Sequence, residues 1–338
     1  VNIGILGAGS WGIALAALLH KKGHQVGMWE FNANDARMLS TKREHPQKLP
    51  GVKIPEQVVI SSDIESIVRQ AEYILCVVPV QTTRQTMKAL VSKVDKAALE
   101  KIQGWIIASK GIECGTLCLV TDILMQEIPG LKIDKLAVIS GPSHAEEVSR
   151  DIPTTIVASS ENFALATKIQ TEFSTDTFRV YTDNDIVGIQ LSGGVKNVIA
   201  IAAGICDGLG FGDNTKGALI TRGMVEMIRL GKRMGAKEQT FSGLAGIGDL
   251  MTTCMSKHSR NRKVGELIGS GLNLEQALAK MIMVAEGVET TKSVYTMAAK
   301  HGIEMPITEE VYKALFEGKS SKLAARDLMS RQLKPERW

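Results

Sequence analysis

The chain opens with VNIGILGAGSWGIALAALL (residues 1–19), in which Gly7, Gly9 and Gly12 fall in G-x-G-x-x-G register. Ile3, Ile5 and Leu6 before them read as an apolar strand, and Ile13, Ala14, Ala16, Ala17 and Leu18 after them as an amphipathic helix that Gly23 stops. In that setting the first glycine permits a tight turn, the second lets backbone amides approach a pyrophosphate, and the third allows close helix packing. Phosphates would then sit at a positive helix N-terminus. Glycine turns are common, so the fingerprint alone is weak. Its flanks make it a dinucleotide-binding turn and the start of a Rossmann-type fold.

Outward from this turn, short apolar runs alternate with helical periodicity. QVGMWE, VVIS, YILCVVP, WIIASKG and LAVISGP read as strands two to six, with Ile64, Ile67 and Val68 typical of the helices between them. Strand–helix–strand repetition implies right-handed crossovers and a parallel sheet, which TTIVASS and FRVYT extend. Near Asn184 the pattern changes. Helical segments over 186–205, 218–233, 262–268, 274–281, 291–300 and 309–317 follow, punctuated by glycine and asparagine. The prediction is an α/β Rossmann (parallel-sheet) domain over residues 1–184 and an all-α domain over 185–338, with ligand in the crevice beyond the strand C-termini.

Composition agrees with this class. A chain of 338 residues has the length of two domains, and 44% hydrophobic with 22% charged residues is ordinary for a soluble globular protein. The formal charge of +4 calls for no nucleic-acid or membrane partner, though it suits a small anionic substrate. Cys76, Cys114, Cys118, Cys206 and Cys254 are odd in number and lack ligand spacing, so they read as reduced thiols. No basic, cleavable leader is visible, and the apolar run Val198 to Ile205 is too short to span a bilayer. These features predict a cytoplasmic protein without a membrane span. The histidines show no metal spacing, and no metal site is expected.

Three later segments hold candidate chemistry, each beside a plainer reading. In SGGVKNVIAIAAG, Lys196 stands among small and apolar residues. A helix lysine usually extends to water, whereas burial beside a second cation would lower its pKa and fit it for acid–base work. In LAGIGDLMTTCMSKHSRNRKVGE, Asp249 follows a glycine turn, and Ser259, Arg260 and Asn261 begin a helix. Arg260, Arg262 and Lys263 there are either a solvated basic face or a phosphate site. Finally, Lys110 in SKGIE and Gly141, Ser143 and Ala145 in SGPSHAEEV follow strands five and six, on the edge where such sheets bind ligands.

GAGSWGIALA, ASKGIE, SGPSHAEEV, GGVKNVIAIAAGICDGLGFGDNTKGALITRG, GLAGIGDLMTTCMSKHSRNRKVG and VAEGVETT together resemble, in order and spacing, the NAD(P)-dependent sn-glycerol-3-phosphate dehydrogenases, the bacterial cytoplasmic type most of all. The resemblance spans about residues 2 to 325, and its KN and SRNR segments are far more specific than the glycine fingerprint. It implies Lys196 as proton acceptor and Lys110 as a second lysine meeting substrate and cofactor. Gly141, Ser143, Lys196, Asp249, Ser259, Arg260 and Asn261 match its substrate contacts. Ser10, Trp11, Lys110, Ala145, Arg260, Val284 and Glu286 match its cofactor contacts. Asp249 either orients Lys196 or binds a substrate hydroxyl. The implied reaction is reversible hydride transfer between NAD(P)H and dihydroxyacetone phosphate, giving sn-glycerol 3-phosphate for glycerophospholipid synthesis by a homodimer.

One departure concerns cofactor choice. Bacterial members often carry a basic residue just after strand two, but this chain reads Trp29, Glu30, Phe31, Asn32. Phe31 is placed to pack near the adenine, and Glu30 to accept from a ribose 2′-hydroxyl, which favours NADH; Asn32 or Arg37 is the candidate to receive a 2′-phosphate. The alternatives are a related 3-hydroxyacid or 6-phosphogluconate type of dehydrogenase and a non-catalytic NAD(P) sensor. Lys110, Lys196 and Asp249 together argue against the sensor.

Overall fold

The computed structural model describes residues 1–336. Eight strands form one sheet: β1 (Asn2–Leu6), β2 (Gln25–Trp29), β3 (Val59–Ser61), β4 (Tyr73–Cys76), β5 (Gly104–Ile107), β6 (Leu136–Ser140), β7 (Thr154–Ser159) and β8 (Phe178–Asp183). Their order is β3-β2-β1-β4-β5-β6-β7-β8, which reverses direction at β1 as in a Rossmann fold. β1 to β6 are parallel, so their C-terminal ends share one edge.

Side chains alternate faces along each strand, and a sheet covered on both sides needs apolar residues on both. Ile3, Ile5 and Met28 accordingly pack with the Ser10–Lys21 and Phe163–Phe173 helices. Leu6, Ile74 and Ile107 face the other way, toward the Ile64–Val68, Val80–Val91 and Val120–Glu127 helices. The fingerprint's third glycine is sterically required, because a Cβ on Gly12 would lie 2.0 Å from the Gly7 carbonyl oxygen.

The fully parallel sheet expected from the repetition is corrected at its far side. β7 runs antiparallel to β6, and β8 runs parallel to β7. After β6 the chain does not cross back to the start of the sheet. It stays at the C-terminal edge as a glycine turn and the short Ala145–Val148 helix, and the next strand must then return in the opposite sense.

Beyond β8 the Asp185 side chain accepts from the Gly188 amide (2.9 Å) and caps the Ile186–Gly208 helix. This helix is longer than the apolar run noted above, and by length and hydropathy it would suffice to cross a membrane. However, 94% of its most apolar window is buried inside the protein. It is the core helix of the second half, surrounded by the Asp213–Arg233, Asp249–Met255, Arg260–Gly269 and Glu286–His301 helices. Glycines bring its backbone against Arg260–Gly269: a Cβ on Gly204 would meet the Arg262 carbonyl at 1.9 Å, and one on Gly265 the Ile201 carbonyl at 1.9 Å. With that close crossing, Lys196 and Ser259–Asn261 line the same cleft. The Asp249–Met255 helix was not expected, since it is short and follows the glycine-rich π-helical turn Leu244–Gly248.

Candidate active site

A cleft of about 620 Å³ opens at the C-terminal edge of β1–β6, between the sheet and the helical half. Its walls include Gly7, Gly9, Ser10, Trp11, Phe31, Lys110, Ser143 and Ala145 from the first half. Lys196, Ser259, Arg260, Asn261, Val284 and Glu286 face them from the second. Gly12, Gly141 and Asp249 lie just outside this lining and support it, whereas Asn32, Arg37, Arg262 and Lys263 do not reach it. Gly9 caps the Ser10–Lys21 helix with no side chain, leaving first-turn amides for an anion, and the space beside its Cα is open. These features fit a dinucleotide pyrophosphate.

At the floor, one carboxylate joins two ammonium groups. Asp249 Oδ1 accepts from Lys196 Nζ at 2.6 Å, and Oδ2 accepts from Lys110 Nζ at 2.7 Å. Lys196 also donates to Thr253 Oγ1 (2.6 Å), whose hydroxyl donates to the Asp249 carbonyl (2.6 Å), while Lys110 donates to the Gly141 carbonyl (3.1 Å). Lys196 and Asp249 are only 5% and 2% exposed, so Lys196 is not a lysine reaching water. Burial lowers the Lys196 pKa from 10.5 to about 8; Asp249 opposes that shift and Lys110 adds to it. Burial pushes the Asp249 carboxyl up, but Lys110 and Lys196 outweigh it and hold the group below the usual carboxylate range.

The basic cluster of the SRNR segment divides. Arg262 turns away to an ion pair with Asp207 (2.6 Å), which also holds Lys216 (2.5 Å), and Lys263 pairs with Glu266 (3.2 Å). Only Arg260 of the three lines the cleft, donating to the Val284 carbonyl (3.0 Å). Beside it, Ser259 Oγ accepts from the Arg262 amide and caps the helix, and Asn261 Oδ1 accepts from the Gly287 amide (2.9 Å). The Arg260–Gly269 helix has no acidic residue in its first turn, so guanidinium and helix dipole act together on an anion. Glu286 accepts from the Val80 amide (3.2 Å), and burial pushes its carboxyl up to about 7.

At the opposite end, Glu30 is buried at the tip of β2 and accepts from the Asn32 amide (3.0 Å). Asn32 spends its own Oδ1 capping the Ala33–Lys42 helix, and Arg37 does not line the cleft. The cation there is Lys48, whose Nζ lies 3.8 Å from Glu30 Oε2. Sequence reading missed Lys48, which sits in a loop without a motif. It also missed Thr253, although the i, i+4 spacing from Asp249 on one helix face was available. His144 and His258, scattered in sequence, meet in the cleft with ring centroids 5.9 Å apart.

A Rossmann sheet, a glycine turn open to a pyrophosphate and a buried Lys–Asp–Lys cluster in one cleft define an NAD(P)-dependent oxidoreductase acting on a CH–OH group. Residues 2–166 match the family described as NAD-dependent glycerol-3-phosphate dehydrogenase N-terminus, and residues 185–326 match its C-terminus. The chain belongs to the NAD-dependent glycerol-3-phosphate dehydrogenase family. It is 48% identical to the glycerol-3-phosphate dehydrogenase [NAD(P)+] of Chlorobium luteolum, covering 100% of both chains. The enzyme of that name from Citrifermentans bemidjiense is 47% identical, with 99% of this chain and 98% of the relative covered. A crystal structure of glycerol-3-phosphate dehydrogenase from Coxiella burnetii superposes with a TM-score of 0.91 at 35% identity, covering 97% of this chain and 98% of that one. A D-mandelate dehydrogenase complex with NADH, at 14% identity and a TM-score of 0.63, shares the fold alone.

Proposed function

We propose that this protein interconverts dihydroxyacetone phosphate and sn-glycerol 3-phosphate with NADH or NADPH, supplying glycerophospholipid synthesis. The observation that carries the reading is Asp249 held between Lys110 and Lys196 at the floor of the dinucleotide cleft. A dinucleotide held along Gly7, Gly9, Ser10 and Trp11 would supply the hydride that the ketone takes up. Lys196, as ammonium, gives its proton to the oxygen that gains charge at C2, and Lys110 adds a second fixed cation there. With a pKa of about 8, Lys196 can both give and regain that proton near neutral pH. Asp249 keeps its proton donors oriented, and Thr253 fixes a second direction. In this reading residues 1–184 hold the dinucleotide and residues 185–338 supply phosphate binding and the proton. The cytoplasmic location and homodimeric state implied by the family resemblance go with it.

The deciding test follows absorbance at 340 nm with NADH and with NADPH, each with and without dihydroxyacetone phosphate. NAD(P)H oxidation only with a 3-oxoacid, or NAD(P)+ reduction only with a 3-hydroxyacid or 6-phosphogluconate, would transfer the chain to another dehydrogenase class, and no turnover with any partner would leave a sensor. Arg260→Ala is expected to weaken use of the phosphorylated ketone by about 1.5–3 kcal/mol, the worth of charge-assisted hydrogen bonds, and to spare unphosphorylated dihydroxyacetone. Equal losses for both ketones would remove Arg260 from the phosphate.

Cofactor choice turns on Glu30 and Lys48. Glu30 suits a free 2′-hydroxyl and Lys48, beside it, a 2′-phosphate, so NADH should be used at least as efficiently as NADPH while NADPH is accepted. Lys48→Glu is expected to lower kcat/KM for NADPH by about tenfold relative to NADH, roughly 1.4 kcal/mol. An unchanged ratio would show that the 2′-position lies away from Lys48.

A further inference from the structure

We propose that Gln81, which does not line the cleft, is the positioning residue that holds Lys110 against Asp249. Lys110 lies beyond the end of β5 on a segment, 108–113, with no regular secondary structure. Its own backbone bonds lie at its two ends, from the Ala108 amide to the Cys76 carbonyl (2.9 Å) and from the Glu113 amide to the Cys118 carbonyl (3.0 Å), so side chains must hold what lies between. Gln81, in the first turn of the Val80–Val91 helix, binds that segment as a neighbouring strand would. Its Nε2 donates to the Ile112 carbonyl (3.0 Å) and its Oε1 accepts from the Cys114 amide (2.9 Å). One turn on, Arg84 forks Glu113, with Nε at 2.9 Å and Nη2 at 2.6 Å from its oxygens.

The same carbonyl is held from the helical half, where Ser293 Oγ donates to Ile112 at 3.0 Å. On the near side Ser109 Oγ donates to the Val78 carbonyl at 2.6 Å. The segment is thus anchored on both sides of Lys110, and Gln81 makes the paired contact on the downstream side. Without it the backbone under Lys110 relaxes, and the Lys110–Asp249 contact at 2.7 Å lengthens. Misplacing a charged group by about an ångström is enough for a large rate loss.

This inference rests on Lys110 and Lys196 serving the reaction as proposed, and it has a signature that a merely structural glutamine lacks. The ionisable groups facing Lys196 are Asp249, Lys110, the Cys254 thiol and His144. Only Lys110 sits on the segment that Gln81 holds. When Lys110 withdraws, Lys196 loses a repelling cation and has Asp249 to itself, so it holds its proton to higher pH. Reduction needs that proton, so the alkaline limb of the pH profile moves up.

The experiment measures kcat/KM for dihydroxyacetone phosphate reduction against pH in wild type, Gln81→Leu, Lys110→Met and the double variant. Thermal midpoints verify that each is folded. Gln81→Leu is expected to lose on the order of tenfold in kcat/KM, with its alkaline limb raised by about half a pH unit or more. In the Lys110→Met background the same change should cost less than about twofold, because the two residues act as one unit. An unmoved limb, or an equal loss in both backgrounds, overturns the inference. If Gln81→Leu does not fold, Ser293→Ala decides, since it frees the same carbonyl from the other side: a smaller loss with a raised limb supports the inference, and an unmoved limb overturns it. A Lys110→Met enzyme with wild-type kcat/KM would sink the reading of the site itself, a result distinct from failure of Gln81 alone.

Discussion

Lys196→Met is expected to lower kcat for dihydroxyacetone phosphate reduction by ~10²–10⁴-fold, the usual worth of a positioned proton donor. NADH affinity, measured by fluorescence titration, should stay near the wild-type value, because methionine keeps the packing and Lys196 is asked to act only on the developing oxyanion. The variant should also remain folded. Lys196 titrates near 8 in the protein and at 10.5 ordinarily, so between those values the unfolded chain binds more protons and wild-type stability rises with pH. Below pH 8 the buried charge is a burden on the fold, and methionine removes it. The thermal midpoint at pH 7 should therefore be at least that of wild type, and its rise between pH 8 and 10.5 should flatten. A kcat within a few-fold of wild type would make Lys196 an ordinary core lysine.

Much of the dinucleotide half was legible because its signals are local. The glycine spacing encodes a turn in which Gly12 abuts Gly7, and alternation along β1 separates Ile3 and Ile5 from Leu6 onto opposite faces. Strand direction is not local: the residues of β7 have the same period either way, and its reversal follows from where the Gly141–Val148 connection remains. The Lys196 helix is apolar on nearly every side, so periodicity could not say which face the lysine took. Its partner Asp249 is 53 residues away, and Lys110 is 139 residues from that same carboxylate. Only the whole set of motifs in order, read as a family resemblance, joined them in advance. The basic SRNR segment was ambiguous for a related reason. Whether an arginine faces a ligand or a carboxylate depends on where Asp207 stands at the far end of another helix, and that carboxylate takes Arg262 and leaves Arg260 to the cleft.

Asp249→Asn separates the two roles that sequence left open for this carboxylate. An amide of the same shape can still accept from one lysine, but it cannot neutralise the buried Lys196 and the partly buried Lys110 together. Lys196 would shed its proton more readily than at the wild-type value of about 8, since the charge that favoured its ammonium form is gone. The alkaline limb for reduction should then move down, and activity at pH 8 should fall by about 10²-fold or more with partial recovery toward pH 6. Stability should drop by about 1–3 kcal/mol at neutral pH, for Lys196 can deprotonate and Lys110 can turn toward solvent, so the full cost of an orphaned buried charge is avoided. The sign of its pH dependence is fixed by the depressed carboxyl of the wild type. That stabilisation is present above the ordinary carboxylate pKa and is lost as pH falls through the folded value, so the stability difference between variant and wild type should narrow below about pH 4. If Asp249 served only to bind a substrate hydroxyl, KM would rise and the limb would stay in place. A lowered limb with partial recovery in acid is the outcome that assigns Asp249 to holding and charging Lys196.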